Sequence, residues 1–261
     1  MHDALNFYKS RRPDYNELQN KREEVRRKGF LYSLLAELSR RCNNGAAEIV
    51  LDIGGGSGTN LILLRNLLDV RSGVLIDLCP RPLDSRHTNS VCADAAYLPI
   101  KPGSANLILL VEVIEHLLNP DKALRSIHGL LRDDGLLVLS TPNLACLFNR
   151  IMLFGGYQPL FTEVSTTQVF GRPGSEVVGH LRLFTYRALR EFLEYHGFKI
   201  EKMFTVPLFR RGAFGAVMAL LERFCIALSP SLGSRIIVIL QKEEQSGKIQ
   251  SVGQLREGIA P

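Results

Sequence analysis

Apolar residues recur along this chain in two rhythms. Between residues 49 and 141, short unbroken apolar runs alternate with stretches whose apolar positions return every three or four residues. The runs at 49–53, 73–77, 90–93, 106–111 and 135–141 read as strands. "NLILLV", 106–111, never alternates with polar residues, which marks a strand buried on both faces. "TNLILLRNLLD" and the stretch from about Asp121 through "KALRSIHGLLR" read as helices, and "RPLDSRH" as a short helix or turn. Strict strand and helix alternation with such strands predicts an α/β fold, a doubly wound parallel sheet with helices on both faces.

The flanks are less regular. Residues 1–29 are polar, and then Leu31, Leu34, Leu35 and Leu38 return at helical spacing, so "LYSLLAELSRR" reads as an amphipathic helix that "CNNGAA" ends. Residues 153–184 hold scattered glycine and proline with little periodicity, as lids and binding loops do. "TYRALREFLEYHGF" is a helix that Thr185 can cap and Gly197 can end. "KIEKMFTVP" and "RIIVILQK" are two further strands. Between them "FGAVMALLERFCIALS" is an unusually apolar helix, with Phe214, Val217, Met218, Leu221, Phe224 and Leu228 at helical spacing and Arg210 and Arg211 just before it. It is too short and too charged, at Glu222 and Arg223, to span a bilayer. Either it packs into the core or residues 214–228 make a peripheral membrane contact.

Composition narrows the class. The chain has 261 residues, 46% apolar and 22% charged, which suits a globular protein with a sizeable core. Its five cysteines are an odd number without a CxxC pair. That argues against a disulfide framework or zinc ribbon and for a reducing compartment, and no metal centre is expected. "MHDALNFYKSRR" lacks the apolar core of a signal peptide, so the expected location is cytoplasmic, with membrane association on the cytoplasmic face if the apolar helix makes it. The net charge is +6, and residues 1–41 carry ten Lys and Arg against six Asp and Glu. That excess suits either an anionic partner or a solvated helix face.

Chemistry gathers at strand ends. In "VLDIGGGSG" the first strand runs into a glycine turn that opens a helix, where unpaired amides favour polar or anionic ligand atoms. Gly54, Gly56 and Gly58 form GxGxG. A dinucleotide fingerprint needs glycine or alanine where Thr59 stands, and the ending of a Walker loop is missing. Asp77 ends the second strand, placed to accept both hydroxyls of a ribose, and Asp94 follows the third.

These residues together resemble the class I S-adenosylmethionine-dependent methyltransferases. "VLDIGGGSG" is similar to that family's first motif, "VLIDLCP" to its acidic second, and "CADAAYLPI" to its third. "LILLVEVIEHLLNPDKALRSIHGLLRDDGLLVLSTPN" resembles the region from strand four to strand five of the small-molecule subgroup, and the likeness returns in "GHLRLFTYRALREFLEYHGFKI". It implies a Rossmann-like seven-stranded sheet, mostly parallel, with one antiparallel strand near the C-terminus. It further implies S-adenosylmethionine as cofactor. Gly54, Gly56 and Gly58 would lie against its methionine part, Asp52 near its amino group, and Asp77 with Leu78 at the ribose. Asp94 and Ala95 would meet the adenine, and Glu112 would face the reacting centre. One departure is Ala105-Asn106, where the family usually enters strand four with Phe-Asp.

The resemblance divides the chain into a basic helical extension or lid at 1–41, a methyltransferase domain at 42–242 with a substrate-covering insertion at 143–184, and a tail at 243–261. For an oxygen acceptor the site needs a proton acceptor as well as alignment. His116 and His180 are the candidates, each open to an alternative, His116 as a loop-orienting residue and His180 as a lid anchor. Arg182 either meets an anionic substrate group or pairs with an acidic neighbour. "VEVIEH" lacks the Asn/Asp-Pro-Pro-Tyr of amide and nucleobase N-methyltransferases, and no specific nucleic acid is expected. "STPNLACLFNRIMLFGGYQPLFTEVS" with "GHLRLFT" resembles methyltransferases of cell-surface glycan or lipid-linked saccharide synthesis. The expected reaction is O-methylation of a small or lipid-linked saccharide-type acceptor, with a quinone or other small molecule as the alternative. A non-catalytic binding module of the same fold is the rival from another class.

Overall fold

The computed structural model describes residues 46–65, 68–80, 89–172, 174, 177–207 and 212–243. The helix expected near residues 31–41, the "RPLDSRH" segment, Arg210 and Arg211, and the tail beyond 243 lie outside the described residues, as does the 1–41 extension. Seven strands, β1 (Ala46–Ile53), β2 (Asp69–Asp77), β3 (Asn89–Cys92), β4 (Ala105–Val111), β5 (Leu131–Pro142), β6 (Phe198–Val206) and β7 (Arg235–Lys242), form one sheet. Its order is β3-β2-β1-β4-β5-β7-β6. β7 runs antiparallel to both its neighbours and the other pairs are parallel, as expected. Five described helices connect them: α1 (Thr59–Arg65), α2 (Pro120–Leu130), α3 (Leu147–Phe154), α4 (Tyr186–Tyr195) and α5 (Gly212–Leu228).

Period-two alternation distributes the strand side chains over two faces. On one, Leu51, Ile53, Ile108, Leu110, Leu137 and Leu139 pack under Leu124 and Ile127 of α2 and Leu189 and Leu193 of α4. On the other, Val50, Leu75, Leu107, Leu109 and Val138 pack with Leu61 and Leu64 of α1. Both sets are buried, so the central strands carry no polar face to water. Asn106, the departure at the entry of β4, accepts the Ile49 amide through Oδ1 at 3.0 Å and ties β4 to β1 by a side chain.

Helix ends follow local chemistry. Asn119 caps α2 by accepting the Lys122 amide at 2.9 Å, and Thr185 caps α4 by accepting the Ala188 amide at 3.1 Å. β2 begins at Asp69, earlier than the apolar run suggests. Just before the irregular stretch stands α3, whose "LFNRIMLF" is too short for its helical period to stand out.

The apolar helix α5 is turned inside out. Val217, Leu220, Phe224 and Leu228 are exposed, whereas Glu222 is fully buried and accepts the Ser234 amide at 2.7 Å. Core packing of its apolar face is therefore not what the fold uses. No described helix is long and apolar enough to cross a membrane.

Candidate functional site

The order β3-β2-β1-β4-β5 reverses between β1 and β4, the point where open α/β sheets form their ligand crevice at the carboxyl ends of the strands. The glycine turn fills one wall. A Cβ on Gly54 would come within 2.6 Å of Val113 Cγ2, so the loop after β4 closes against bare backbone. A Cβ on Gly55 would fall 2.2 Å from Asp52 Oδ2. Asp52 is thus folded beneath the turn, fully buried, with Oδ1 accepting from Asn60 Nδ2 at 3.1 Å. Over Gly56 the space is open, and a Cβ there would meet only Asp77 Oδ2, at 4.0 Å. Gly54, Gly56 and Gly58 all have positive φ, the conformation the turn needs.

Asp77 joins the turn to β2. Its Oδ2 accepts the Gly56 amide at 3.0 Å and its Oδ1 the Cys79 amide at 2.8 Å, across half-buried Leu78. The Ala93 amide donates to the Asp77 carbonyl at 3.1 Å, which places the β3 end alongside. There Asp94 Oδ1 accepts the Ala96 amide at 2.9 Å, and Ala95 is buried. The structure therefore gathers Asp52, the glycine turn, Asp77, Asp94 and Ala95 along the ends of three adjacent strands.

Glu112 points elsewhere. It takes a left-handed φ of 56°, a costly conformation for a side-chain-bearing residue. Its Oε1 accepts from Ser140 Oγ at 2.8 Å and lies 3.1 Å from Arg235 Nε, toward β5 and β7. One helical turn on, Glu115 is fully buried and Oε2 accepts from Thr141 Oγ1 at 2.9 Å. Oε1 has no hydrogen-bond partner among the described residues. Burial, and then the charge of Glu112, hold the Glu115 carboxyl well above the usual carboxylate range.

The segment from Gly155 to Phe184 folds back over this corner. The Glu115 carbonyl accepts the amides of Leu181 and Arg182 at 2.8 and 3.1 Å. Glu163 clips the segment internally, accepting the amides of Val178 and His180 at 3.1 and 3.3 Å, with Arg172 3.7 Å away. The result sets the ring of His180 4.8 Å from that of His116, centre to centre. His116 Nδ1 lies 3.2 Å from the Gly179 carbonyl oxygen and His180 Nδ1 3.0 Å from that of Phe161. These contacts favour the Nδ1–H tautomer and put each lone pair on Nε2. The Arg182 guanidinium donates to the carbonyls of Leu117 and Leu118, and no ion pair holds it among the described residues. Asn143 of "STPN" is an anchor, its Nδ2 donating to the Ser231 and Gly233 carbonyls at 2.8 and 2.7 Å.

Sequence reasoning missed Gly55, Asn60, Glu115, Glu163, Arg172 and Arg235. Only Glu115 had a legible signal, an acid beside a singled-out histidine within "VEVIEH".

Comparison with known proteins agrees with this architecture. A family model described as a methyltransferase domain matches residues 22–203, more than half of the chain. A malonyl-[acyl-carrier protein] O-methyltransferase of Marinomonas sp. (strain MWYL1) is 31% identical over 103 residues, 36% of this chain. The chain spans only 38% of that relative's length. Among solved structures, the partner of the Trm112 methyltransferase activator in a Haloferax volcanii complex superposes with a TM-score of 0.63 at 15% identity, over 88% of this chain and 95% of that one. An S-adenosylmethionine-dependent methyltransferase of Archaeoglobus fulgidus superposes with a TM-score of 0.52 at 18% identity, over 81% and 94%. At such identities the likeness is one of fold.

Proposed function

The chain belongs to the methyltransferase-domain family, and from that membership we propose that it transfers the methyl group of S-adenosylmethionine to an oxygen of a small or lipid-linked, saccharide-type acceptor. It is an S-adenosylmethionine-dependent methyltransferase by family and fold. The acceptor is the proposal.

The residues suit the cofactor. The bare backbone over Gly56 offers the close approach a bulky ligand needs, and a side chain there would fill it. Gly54, Gly56 and Gly58 would hold the methionine part, Asp77 beside Leu78 the ribose, and Asp94 with the Ala95 amide the adenine. Buried beneath the turn, Asp52 would act through Gly55 and Asn60, holding the loop in shape. When bound, the cofactor supplies a methyl on a positively charged sulfur, already activated for displacement. The chain then has to align an acceptor oxygen, exclude water and handle one proton.

The observation that carries the oxygen reading is the His116 and His180 pair, set against Glu115 at the corner of the crevice. A nucleophilic hydroxyl must lose its proton, and imidazole lone pairs held on Nε2 by backbone carbonyls suit that task. Glu112, tied to Ser140 and Arg235, would shape the acceptor side of the crevice. The Marinomonas relative is itself named an O-methyltransferase, which supports oxygen over nitrogen. Exposed Ile151, Leu153, Phe154 and Tyr157 on and after α3 support an acceptor with an apolar, lipid-linked part.

The test is methyl transfer from labelled cofactor to a panel holding a lipid-linked saccharide, a free sugar, a quinol and a malonyl thioester. The reading expects the lipid-linked saccharide to be labelled on oxygen, with His116→Asn losing turnover while binding S-adenosylhomocysteine normally. Labelling of the quinol or thioester alone would replace the saccharide assignment, and labelling on nitrogen would overturn the oxygen reading.

A further inference from the structure

Two apolar helices leave one corner of the sheet, where β5 ends and β7 begins with Pro142 paired to Arg235. Asn143, ahead of α3, ties the turn after α5 through the Ser231 and Gly233 carbonyls. From that corner α3 turns Ile151, Leu153 and Phe154 to solvent, the last of them 96% exposed.

The longer face belongs to α5. Val217, Leu220, Leu221, Phe224 and Leu228 recur at steps of three and four residues and are all exposed. They make one side of a helix of 17 residues, about 25 Å long. The other side is the attached one: Glu222 is buried on the Ser234 amide, and Cys225 and Ile226 are half-buried. Glu222 thus fixes which way the helix faces, and the fold spends a buried acid to keep the apolar side outward. An apolar ridge of that length in water marks a surface made to be covered.

Charge decides what covers it. From Gly212 to Ser234 the only charged residues are Glu222, turned inward, and Arg223, exposed. From Leu144 to Thr162 the only one is Arg150, also exposed. Arg210 and Arg211 precede the helix in sequence, and the whole chain carries +6. The corner therefore shows apolar side chains and positive charge, with no acid among its exposed residues. A second copy docked by the same face would bring arginine toward arginine with no carboxylate to answer either. A bilayer answers both features, since its hydrocarbon takes the apolar ridge while anionic headgroups meet the arginines.

We propose that α5 lies in the headgroup region of an anionic phospholipid bilayer, its axis along the membrane plane and Val217, Leu220, Leu221, Phe224 and Leu228 turned into the lipid. No described helix is long and apolar enough to cross, so the contact is peripheral. Docking also brings the reacting corner toward the membrane. Arg235 follows Leu228 by seven residues, and its Nε lies 3.1 Å from Glu112 Oε1 on the acceptor side. The use of that nearness, to meet an acceptor that stays in the bilayer, rests on the lipid-linked reading above; the docking itself does not.

The experiment sediments the full chain with vesicles of phosphatidylcholine alone and with about one third phosphatidylglycerol. The wild type is expected to partition onto the anionic vesicles at least about tenfold better than onto the neutral ones. Leu220→Ser with Phe224→Ser is expected to weaken that partition by at least about tenfold, and Arg223→Glu by at least about threefold. Both changes are at exposed positions, and fold is checked by S-adenosylhomocysteine binding within about twofold of the wild type. A folded wild type that stays in solution would overturn the surface, as would equal partition onto both vesicles. Equal partition by the double variant would overturn it too, because the lipid would then be held elsewhere on this basic chain. So would a wild-type dimer in light scattering that the double variant converts to a monomer, which would give the ridge to a second copy. Vesicle binding without methylation of the lipid-linked saccharide would leave the surface standing and remove the acceptor reading. Its methylation by a chain that does not partition would do the reverse.

Discussion

His116 and His180 face each other with ring centres 4.8 Å apart and planes tilted by 45°, although one follows β4 and the other ends the segment that leads into α4. What holds them is mostly backbone: two carbonyls, at Gly179 and Phe161, and the double acceptance of Leu181 and Arg182 by the Glu115 carbonyl. The pair therefore depends on the covering segment keeping its shape.

Glu163 is the clip of that segment. Its carboxylate accepts the amides of Val178 and His180 and lies beside Arg172, and both charged side chains are nearly buried. Glu163→Ala removes the acceptor of both amides, of which the part-buried His180 N–H costs about 1–3 kcal/mol. The expected result is a turnover at least about tenfold lower with unchanged affinity for S-adenosylhomocysteine, and faster protease cleavage within 155–184. Steady-state kinetics, calorimetry and limited proteolysis check the three.

Asp77 holds the glycine turn by two acceptances, from Gly56 and from Cys79. Asp77→Asn replaces one acceptor oxygen with a donor that must face an amide N–H. Loss of a charge-assisted bond of about 1.5–3 kcal/mol, with the repulsion added, predicts cofactor affinity down by about tenfold to a hundredfold. Calorimetry with S-adenosylmethionine and S-adenosylhomocysteine reads it directly, and a change below twofold would contradict the assigned role.

Gly55 is needed for space. Its Cβ would overlap Asp52 Oδ2 and come within 2.6 Å of Leu75 Cδ1, both in the buried layer under the turn. Gly55→Ala must move the turn or expel the carboxylate, at a cost of about 2–4 kcal/mol. Chemical denaturation is expected to show that loss, whereas Gly103→Ala, at positive φ in open space, should cost only the lesser backbone strain.

His128 supplies a pH dependence. Burial, and then the nearby charge of Lys242, hold its imidazole below the usual value of 6.5, against the weaker opposing bond to the Gly197 carbonyl. The unfolded chain therefore takes up this proton at higher pH than the folded chain does. The stability it contributes is present above pH 6.5 and is lost as pH falls from there through the folded value. Urea midpoints at pH 8 and pH 5 are expected to fall further for the wild type than for His128→Gln, and equal falls would refute the assignment.

On α5 the apolar positions are outside and the acid is inside. Phe224→Ser, at an exposed site, should change stability by no more than about 0.5 kcal/mol, whereas Glu222→Ala strips the Ser234 amide of its acceptor and should cost about 1–3 kcal/mol. Thermal melts of the two variants give the comparison.

Much of this was legible in the chain because the deciding interactions are local. Unbroken apolar runs mark β1, β2, β4 and β5, since a strand covered on both faces has no place for polar side chains. Thr185 heads α4 as its hydroxyl predicts, because a cap reaches only three residues. The glycine turn was readable too, because a sharp strand-to-helix turn needs positive φ and says so in composition. β5 proved longer than its apolar core, since exposed Arg132, Asp133 and Asp134 lie within the strand and obscure its start.

The sequence by itself determined the alternating α/β plan, the strand ends that carry acids, and the turn against which a ligand can lie. Each depends on neighbours a few residues apart. Only the tertiary structure decided that Asp52 lies under Gly55, that Glu112 turns to Ser140 and Arg235, and that α5 points its apolar side outward. It alone placed His180 over His116 beside Glu115. These depend on which strands become neighbours and on how a long covering segment folds back, and contacts between distant positions leave no period in a single chain.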